Sequence, residues 1–194
     1  MAFTAQLRLR ALAAVLVATA ALAGLAAPAH AGLPDRVVAL ARAELARNVH
    51  EMPDGSNESP RIARYRSAVR WAPGPLAWCG YFVSWVARDV GAPIGAGGHG
   101  IGLVSEIRHW AIRTGRWRTT PHRGNLVVFR FGHVGIVERV AGYTVVTIEG
   151  NHSNRVARVA RSRRQIRGYV RLSPPTAAER SDEPWRPEPF HWAG

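Results

Sequence analysis

The sequence predicts a protein of the α+β class, with N-terminal helices packed on a C-terminal antiparallel sheet. Between residues 34 and 115, apolar side chains recur at helical spacing, and glycine or proline separates one apolar group from the next. From residue 126 onward, the chain instead holds short runs rich in β-branched residues. Helices followed by strands in this way are typical of the α+β class.

Four segments have the periodicity of helices. In the third, the apolar residues Cys79, Phe82, Val83, Val86 and Val90 fall on one stripe that ends at a glycine. We therefore expect this helix to bury one face. The four predicted helices run from Pro34 to Arg47, from Arg61 to Arg70, from Cys79 to Val90 and from Leu103 to Ala111.

Five segments are predicted as strands. The run from 126 to 129 is continuously apolar, as expected of a buried strand, and the next two are rich in β-branched residues. The segment 156–161 repeats every three residues, which matches neither the helical nor the strand period, and we assign it as a strand. The predicted strands cover residues 126–129, 132–140, 143–148, 156–161 and 167–172.

The N-terminus has the features of a secretory signal peptide. Arg8 and Arg10 precede an apolar run, and Ala29-His30-Ala31 forms a small-x-small cleavage site. An uncleaved membrane anchor is the alternative, since the run is just long enough to span a bilayer. We predict a signal peptide over residues 1–31, one domain over 32–172 and a proline-rich, loosely ordered tail over 173–194.

The chain is strongly basic, with a formal net charge of +13, and all 26 of its basic residues are arginine. Removal of the two signal-peptide arginines would leave +11. Such a surface attracts anionic polymers, for example cell-wall phosphates, carboxylated glycans or nucleic acid. A compositional bias towards arginine is the alternative explanation. No nucleic-acid-binding motif is present, and we expect a secreted monomer that has no membrane contact after signal cleavage.

The lone cysteine, Cys79, lies where a loop broken by Pro73, Gly74 and Pro75 becomes a helix. A single cysteine excludes an internal disulfide. The unpaired N–H groups and the dipole at a helix N-terminus favour the thiolate form of a cysteine, which is the nucleophilic form. Cys79 is therefore a candidate nucleophile, although a buried cysteine that acts as a small hydrophobe is the alternative.

A nucleophilic thiol needs a base within hydrogen-bond reach and usually a third group that orients the base. Among eight histidines, His133 differs because it opens a predicted strand, with Gly135 leaving room on its own face. The next strand ends with Glu149 and Asn151, which share one face because they are two residues apart.

Whether these residues meet depends on the turn between the two strands. If residues 141–143 form a three-residue loop, His133 faces Asn151 and Gly135 faces Glu149. A two-residue turn would place His133 on the opposite face, so the hypothesis requires an odd loop or a β-bulge.

The loop from Glu51 to Pro60 carries three acidic residues, and carboxylates are the ligand type that calcium prefers. The loop lacks the regular alternation of oxygen ligands around a central glycine, so we expect no metal and no cofactor.

Taken together, the order Cys, His, Glu and Asn on a helix, a strand, a second strand and the end of that strand resembles the CHAP domain. This is the cysteine, histidine-dependent amidohydrolase/peptidase family, a papain-like group related to the NlpC-type cell-wall peptidases. The resemblance covers about residues 33–172. The matching segments are 55–57 with Arg61, Ile62 and Tyr65; 78–85; 124–129; 132–137; and 148–151.

The resemblance implies that Cys79 is the nucleophile, that His133 is the base and then the acid, and that Glu149 orients His133. Asn151 would support the same array. It also implies a papain-like CHAP fold and hydrolysis of peptidoglycan amide bonds, as an N-acetylmuramoyl-L-alanine amidase or as an endopeptidase of the stem or cross-bridge. Two rivals stay open: a non-catalytic wall-binding module that uses the basic surface, and an amidohydrolase or acyltransferase acting on a small amide or a protein.

Overall fold

The computed structural model describes residues 31–176. The predicted signal peptide over residues 1–31 lies outside the described residues except for Ala31, and so does the predicted tail beyond residue 176. Both boundaries stay predictions. Within the described range, no helix is both long enough and apolar enough to cross a membrane.

The described chain consists of four α-helices followed by six strands, which confirms the predicted α+β class and the order of its elements. The helices are α1 (Leu33–Ala46), α2 (Pro60–Arg66), α3 (Cys79–Asp89) and α4 (Val104–Arg113). The strands are β1 (Trp117–Arg118), β2 (Leu126–Phe129), β3 (Val134–Ala141), β4 (Thr144–His152), β5 (Arg155–Ser162) and β6 (Ile166–Val170).

The strands form one antiparallel sheet in the order β1-β6-β2-β3-β4-β5. Because side chains alternate along a strand, the sheet has two different faces. Val134, Ile136 and Ile148 belong to the main core with the helices. Val137 and Val145 belong to a second, smaller apolar cluster, which therefore lies on the opposite face of the sheet.

Helix α3 lies at the centre of the domain and positions Cys79. Every residue from Cys79 to Ala87 is buried, so burial extends beyond the predicted apolar stripe to the other faces of the helix. The reason is that α3 packs against α1 and α2 as well as against β3 and β4. Phe82, Val83 and Val86 are completely buried, and full burial of such side chains stabilises the fold by about 1.5–3 kcal/mol each.

The β3–β4 hairpin contains a two-residue turn rather than the three-residue loop considered above, because Ala141 pairs with Thr144. A β-bulge at Glu138 supplies the odd residue instead, since the register shifts between Val137 and Arg139. Beyond the bulge Ile136 pairs with Ile148, which continues the register that the sequence argument required.

The bulge is held by buried charge. Glu138 is only 2% exposed, and its carboxylate accepts hydrogen bonds from Arg42 Nε at 2.6 Å and from Arg158 at 2.7 and 2.8 Å. The backbone carbonyl of Glu138 also accepts a hydrogen bond from Arg123 at 2.7 Å. Residues of α1, β5 and the loop before β2 thus fix the bulge, which sets the register of the strands at the site.

Other differences from the sequence prediction are small. The segment with a period of three residues is strand β5, as assigned. The two-residue strand β1 was not predicted, since it is too short to show a period. Strand β3 begins at Val134, so His133 lies immediately before the strand rather than within it.

Candidate active site

Cys79 is the first residue of α3, and only 5% of it is exposed. The first N–H groups of a helix have no partner within the helix, so the thiol lies among unpaired donors. The thiol is near enough to His133 to contribute to the raised pKa of that histidine. The structure therefore brings the predicted nucleophile and the predicted base together.

His133 connects the cysteine to a carboxylate. Its Nε2 atom lies 3.1 Å from Glu149 Oε2, which leaves Nδ1 as the ring nitrogen available to Cys79. Burial by itself lowers the pKa of His133, but the hydrogen bonds to Cys79 and Glu149, together with their negative charges, raise this pKa to about 9. The imidazole therefore holds a proton at neutral pH.

Glu149 is completely buried, and its carboxylate is ionised. Burial opposes ionisation, but hydrogen bonds from Arg161, His133 and Thr147 outweigh it and lower the pKa of Glu149 to about 2. The Thr147 hydroxyl donates to Oε1 at 2.5 Å. The carboxylate is therefore a fixed negative charge that orients His133.

The space for Glu149 comes from the strand opposite it. A Cβ atom added to Gly135 would lie 2.7 Å from Glu149 Cγ, closer than real Cβ contacts come. The bulge at Glu138 gives the register in which Gly135 faces Glu149. The absence of a side chain at Gly135 thus leaves the space that the Glu149 side chain occupies.

Arg161 is a site residue that the sequence reasoning missed. Its Nε atom donates to Glu149 Oε1 at 2.9 Å and its Nη2 atom to Oε2 at 2.6 Å, a two-point contact on a buried carboxylate. The guanidinium also lies over the rings of Phe129 and Phe131, at 5.1 and 5.3 Å from their centroids. The sequence does not single out Arg161, because arginine recurs at positions 155, 158 and 161. Only the pairing of β5 with β4 shows which of the three reaches Glu149.

Asn151 lies against the residue that precedes the nucleophile. The hydrogen-bond network assigns its amide oxygen to the backbone N–H of Trp78 and its amide nitrogen to Glu51 Oε1, both at 3.1 Å. Its backbone φ is +58°, so it departs from the regular alternation of the strand. The structure therefore associates Asn151 with the start of α3 rather than with the His133–Glu149 pair.

Glu51 is a second residue that the sequence reasoning missed. It is 2% exposed, its Oε1 accepts the Trp78 indole N–H at 2.9 Å, and its Oε2 accepts the Asn57 backbone N–H at 2.9 Å. The acidic loop thus turns one carboxylate inward and ties itself to the residue before Cys79. Two features of the sequence could have indicated this contact: the acidic, turn-rich loop and the tryptophan next to the cysteine.

A cysteine at a helix start, a histidine and an orienting carboxylate, on helices packed against an antiparallel sheet, form the kind of arrangement that nucleophilic cysteine catalysis requires. Residues 71–151 match the model of the family described as the CHAP domain. The matched range includes Cys79, His133, Glu149 and Asn151. The family consists in general of amidases and peptidases. Comparisons with curated proteins and with solved structures gave no match.

Proposed function

We propose that the protein is a secreted cysteine hydrolase that cleaves amide bonds of cell-wall peptidoglycan. The bond is either the N-acetylmuramoyl-L-alanine amide or a peptide bond of the stem or cross-bridge. The observation that carries the proposal is that His133 contacts Glu149 at 3.1 Å and interacts with Cys79, within the segment that matches the CHAP domain. The family match supports an amidase or peptidase of the cell wall as the general activity.

In the first half-reaction, the Cys79 thiolate attacks the amide carbonyl carbon and forms a C–S bond. The carbonyl oxygen becomes an oxyanion, and the backbone N–H of Cys79, in the first turn of the helix, would donate a hydrogen bond to it. The tetrahedral intermediate then loses the amine, which takes a proton from His133 Nδ1. A thioester acyl-enzyme remains.

In the second half-reaction, neutral His133 removes a proton from a water molecule, and the water oxygen attacks the thioester carbon. The C–S bond breaks, a carboxylic acid leaves, and the thiolate and imidazolium are restored. Glu149 keeps the imidazole in one orientation throughout because its own position is fixed by Thr147 and Arg161. Asn151 and Glu51 would keep the helix start in place.

The test is mass spectrometry of the products released from purified peptidoglycan by the chain without its predicted signal peptide, run beside Cys79→Ala. New amino ends together with new lactyl or peptide carboxyl ends, seen only with the intact thiol, would establish hydrolysis and name the bond. The proposal fails if neither protein releases fragments from walls of several chemical types. If both proteins still bind those walls, the non-catalytic binding module is the better account.

A further inference from the structure

A cleft of about 490 Å³ lies on the surface formed by α1, α2 and α3, and four arginines line it. Arg47 directly follows the last residue of α1. Arg61 and Arg64 lie in α2, and Arg88 lies in the last turn of α3. This cleft shares no residue with the Cys79–His133–Glu149 group.

Part of this positive charge is used inside the protein. Glu44 is completely buried beneath the cleft, where Arg47 and Arg61 bind its carboxylate and the Tyr65 hydroxyl donates to it at 2.6 Å. Arg61 also lies 4.8 Å from the ring of Trp85. Two of the four guanidinium groups are therefore fixed in place by a buried carboxylate and an aromatic wall.

The other two guanidinium groups keep donors for a ligand. Among residues 31–176, no side chain or carbonyl forms a hydrogen bond or ion pair with the Arg64 side chain. Arg88 uses Nε for Asp89 at 3.1 Å and Nη1 for the Ser67 carbonyl at 3.1 Å, so its Nη2 atom is left over. With Glu44 and Asp89 counted, the four arginines give the cleft a net charge of +2.

We propose that this cleft binds an anionic glycopolymer of the cell wall through the repeating oxyanions of that polymer. The shared chemistry is the pairing of a guanidinium fork with the two oxygens of a phosphodiester or of a uronate carboxylate. The cleft is several times larger than one such anion, and Leu40 and Trp85 provide apolar wall for the carbon backbone between charges. A polymer therefore fits it better than a single ion.

This inference deepens the proposed function, on which it rests, by naming what would hold the enzyme on its wall. Trp85 lies in α3 about 9 Å along the axis from Cys79, at the helical rise of about 1.5 Å per residue. Polymer binding and bond cleavage are therefore assigned to separate surfaces, and variants can separate the two.

The experiment compares four proteins: the wild type, Arg64→Gln/Arg88→Gln in the cleft, Arg139→Gln/Arg167→Gln elsewhere, and Cys79→Ala. Arg139 and Arg167 are exposed residues of β3 and β6, so the second double variant loses the same charge outside the cleft. Binding is measured against poly(glycerol phosphate), polygalacturonate, neutral dextran and single-stranded DNA at two salt concentrations. Hydrolysis is measured on a soluble muropeptide.

We expect the wild type and Cys79→Ala to bind one of the two anionic glycopolymers and to leave dextran unbound. The cleft variant should bind about 30-fold more weakly, since two exposed ion pairs at the upper end of their range together amount to about one and a half powers of ten. The matched control should lose less than twofold. Soluble muropeptide hydrolysis should be the same in the cleft variant as in the wild type.

The better polymer identifies the oxyanion as phosphodiester or carboxylate, and either result supports the proposal. Equal losses in the two double variants would overturn it, because general charge would then explain the binding. Tighter binding of DNA than of both glycopolymers, or no binding of either, would also overturn it. Failure of the proposed hydrolase function is a separate result, because it would appear as absent muropeptide cleavage while Cys79→Ala still binds the polymer.

Discussion

Arg161 and Glu149 form a two-point ion pair in which both carboxylate oxygens are engaged, at 2.9 and 2.6 Å. Glu149 Oε2 is shared, because it also contacts His133 Nε2 at 3.1 Å. Arg161 therefore competes with the histidine for the charge of the same carboxylate while holding that carboxylate in position. The pair joins β5 to β4 and is the basis of the first prediction.

Arg161→Gln should raise the pKa of His133, because the carboxylate charge is no longer shared with a guanidinium. The alkaline limb of kcat/KM should then move to higher pH, and kcat should fall about tenfold as Glu149 loses its orientation. Loss of one partner of a pair this deeply buried should also destabilise the fold by about 3 kcal/mol. Arg161→Lys is the control, since it keeps the charge and should keep the position of the limb. An unchanged pH profile in Arg161→Gln would contradict this role.

In the wild type, kcat/KM should fall above pH 9. The pKa of His133 is raised to about 9, so the imidazolium that protonates the departing amine is lost as the pH rises through that value. Stabilisation of the fold by this protonated histidine is complete below its ordinary pKa of about 6.5 and is likewise lost towards pH 9. A pH–rate profile on a soluble substrate checks this, and a limb centred near pH 6.5 would contradict it.

Glu149→Gln should shift the alkaline limb to lower pH, because it removes the negative charge that raises the pKa of His133. We expect kcat to fall about 10²-fold, which is the lower end of the contribution of a positioned acid or base. The measurement is the same pH–rate profile, with the melting temperature recorded to separate misfolding from lost chemistry. If the limb stays near pH 9 in a folded variant, Cys79 alone holds the proton on His133.

Acid should unfold the wild type partly through Glu149. Its pKa is lowered to about 2, so its contribution to stability is present above its ordinary value near 4.5 and is lost as the pH falls towards 2. The contribution is on the order of 3 kcal/mol. Urea unfolding at pH values from 6 to 2.5 checks this. The stability difference between wild type and Glu149→Gln should narrow across that range, and a constant difference would contradict the assignment.

Gly135→Ala should impair catalysis because the new Cβ atom would lie 2.7 Å from Glu149 Cγ and displace the carboxylate. We expect kcat to fall by at least tenfold with a stability loss of about 1–3 kcal/mol, as is usual for overpacking. Gly32→Ala is a matched control, since its Cβ atom meets only Pro34 Cδ at 3.7 Å. Wild-type activity in Gly135→Ala would show that the carboxylate tolerates displacement.

Asn151→Ala should act on the helix start rather than on the histidine. It removes the acceptor for the Trp78 N–H and the donor to Glu51, so we expect a stability loss of about 1–2 kcal/mol and a reduced kcat. The pH profile should keep its alkaline limb near 9, in contrast to Glu149→Gln. A shift of that limb would place Asn151 in the histidine array after all.

Local sequence determined much of this site. The helix start at Cys79 follows from the proline- and glycine-rich loop before an apolar run, and both are properties of neighbouring residues. The candidates His133 and Glu149 also came from strand patterns, and their contact at 3.1 Å agrees with the register that the sequence argument required. The turn was predicted less well, because a bulge at Glu138, held by three arginines, replaced the odd loop.

By itself, the sequence determined the α+β class, the order of the elements and the positions of the candidate cysteine, histidine and carboxylate, since these depend on local periodicity and turn chemistry. Only the tertiary structure decided that Arg161 binds Glu149 and that the Asn151 amide accepts a hydrogen bond from the Trp78 backbone N–H. Those contacts depend on strand pairing and on a positive φ, which bring together residues that local periodicity does not connect. The physical reason is that a buried carboxylate is stable only when it is paired and hydrogen-bonded, and its charged partners lie outside its own strand.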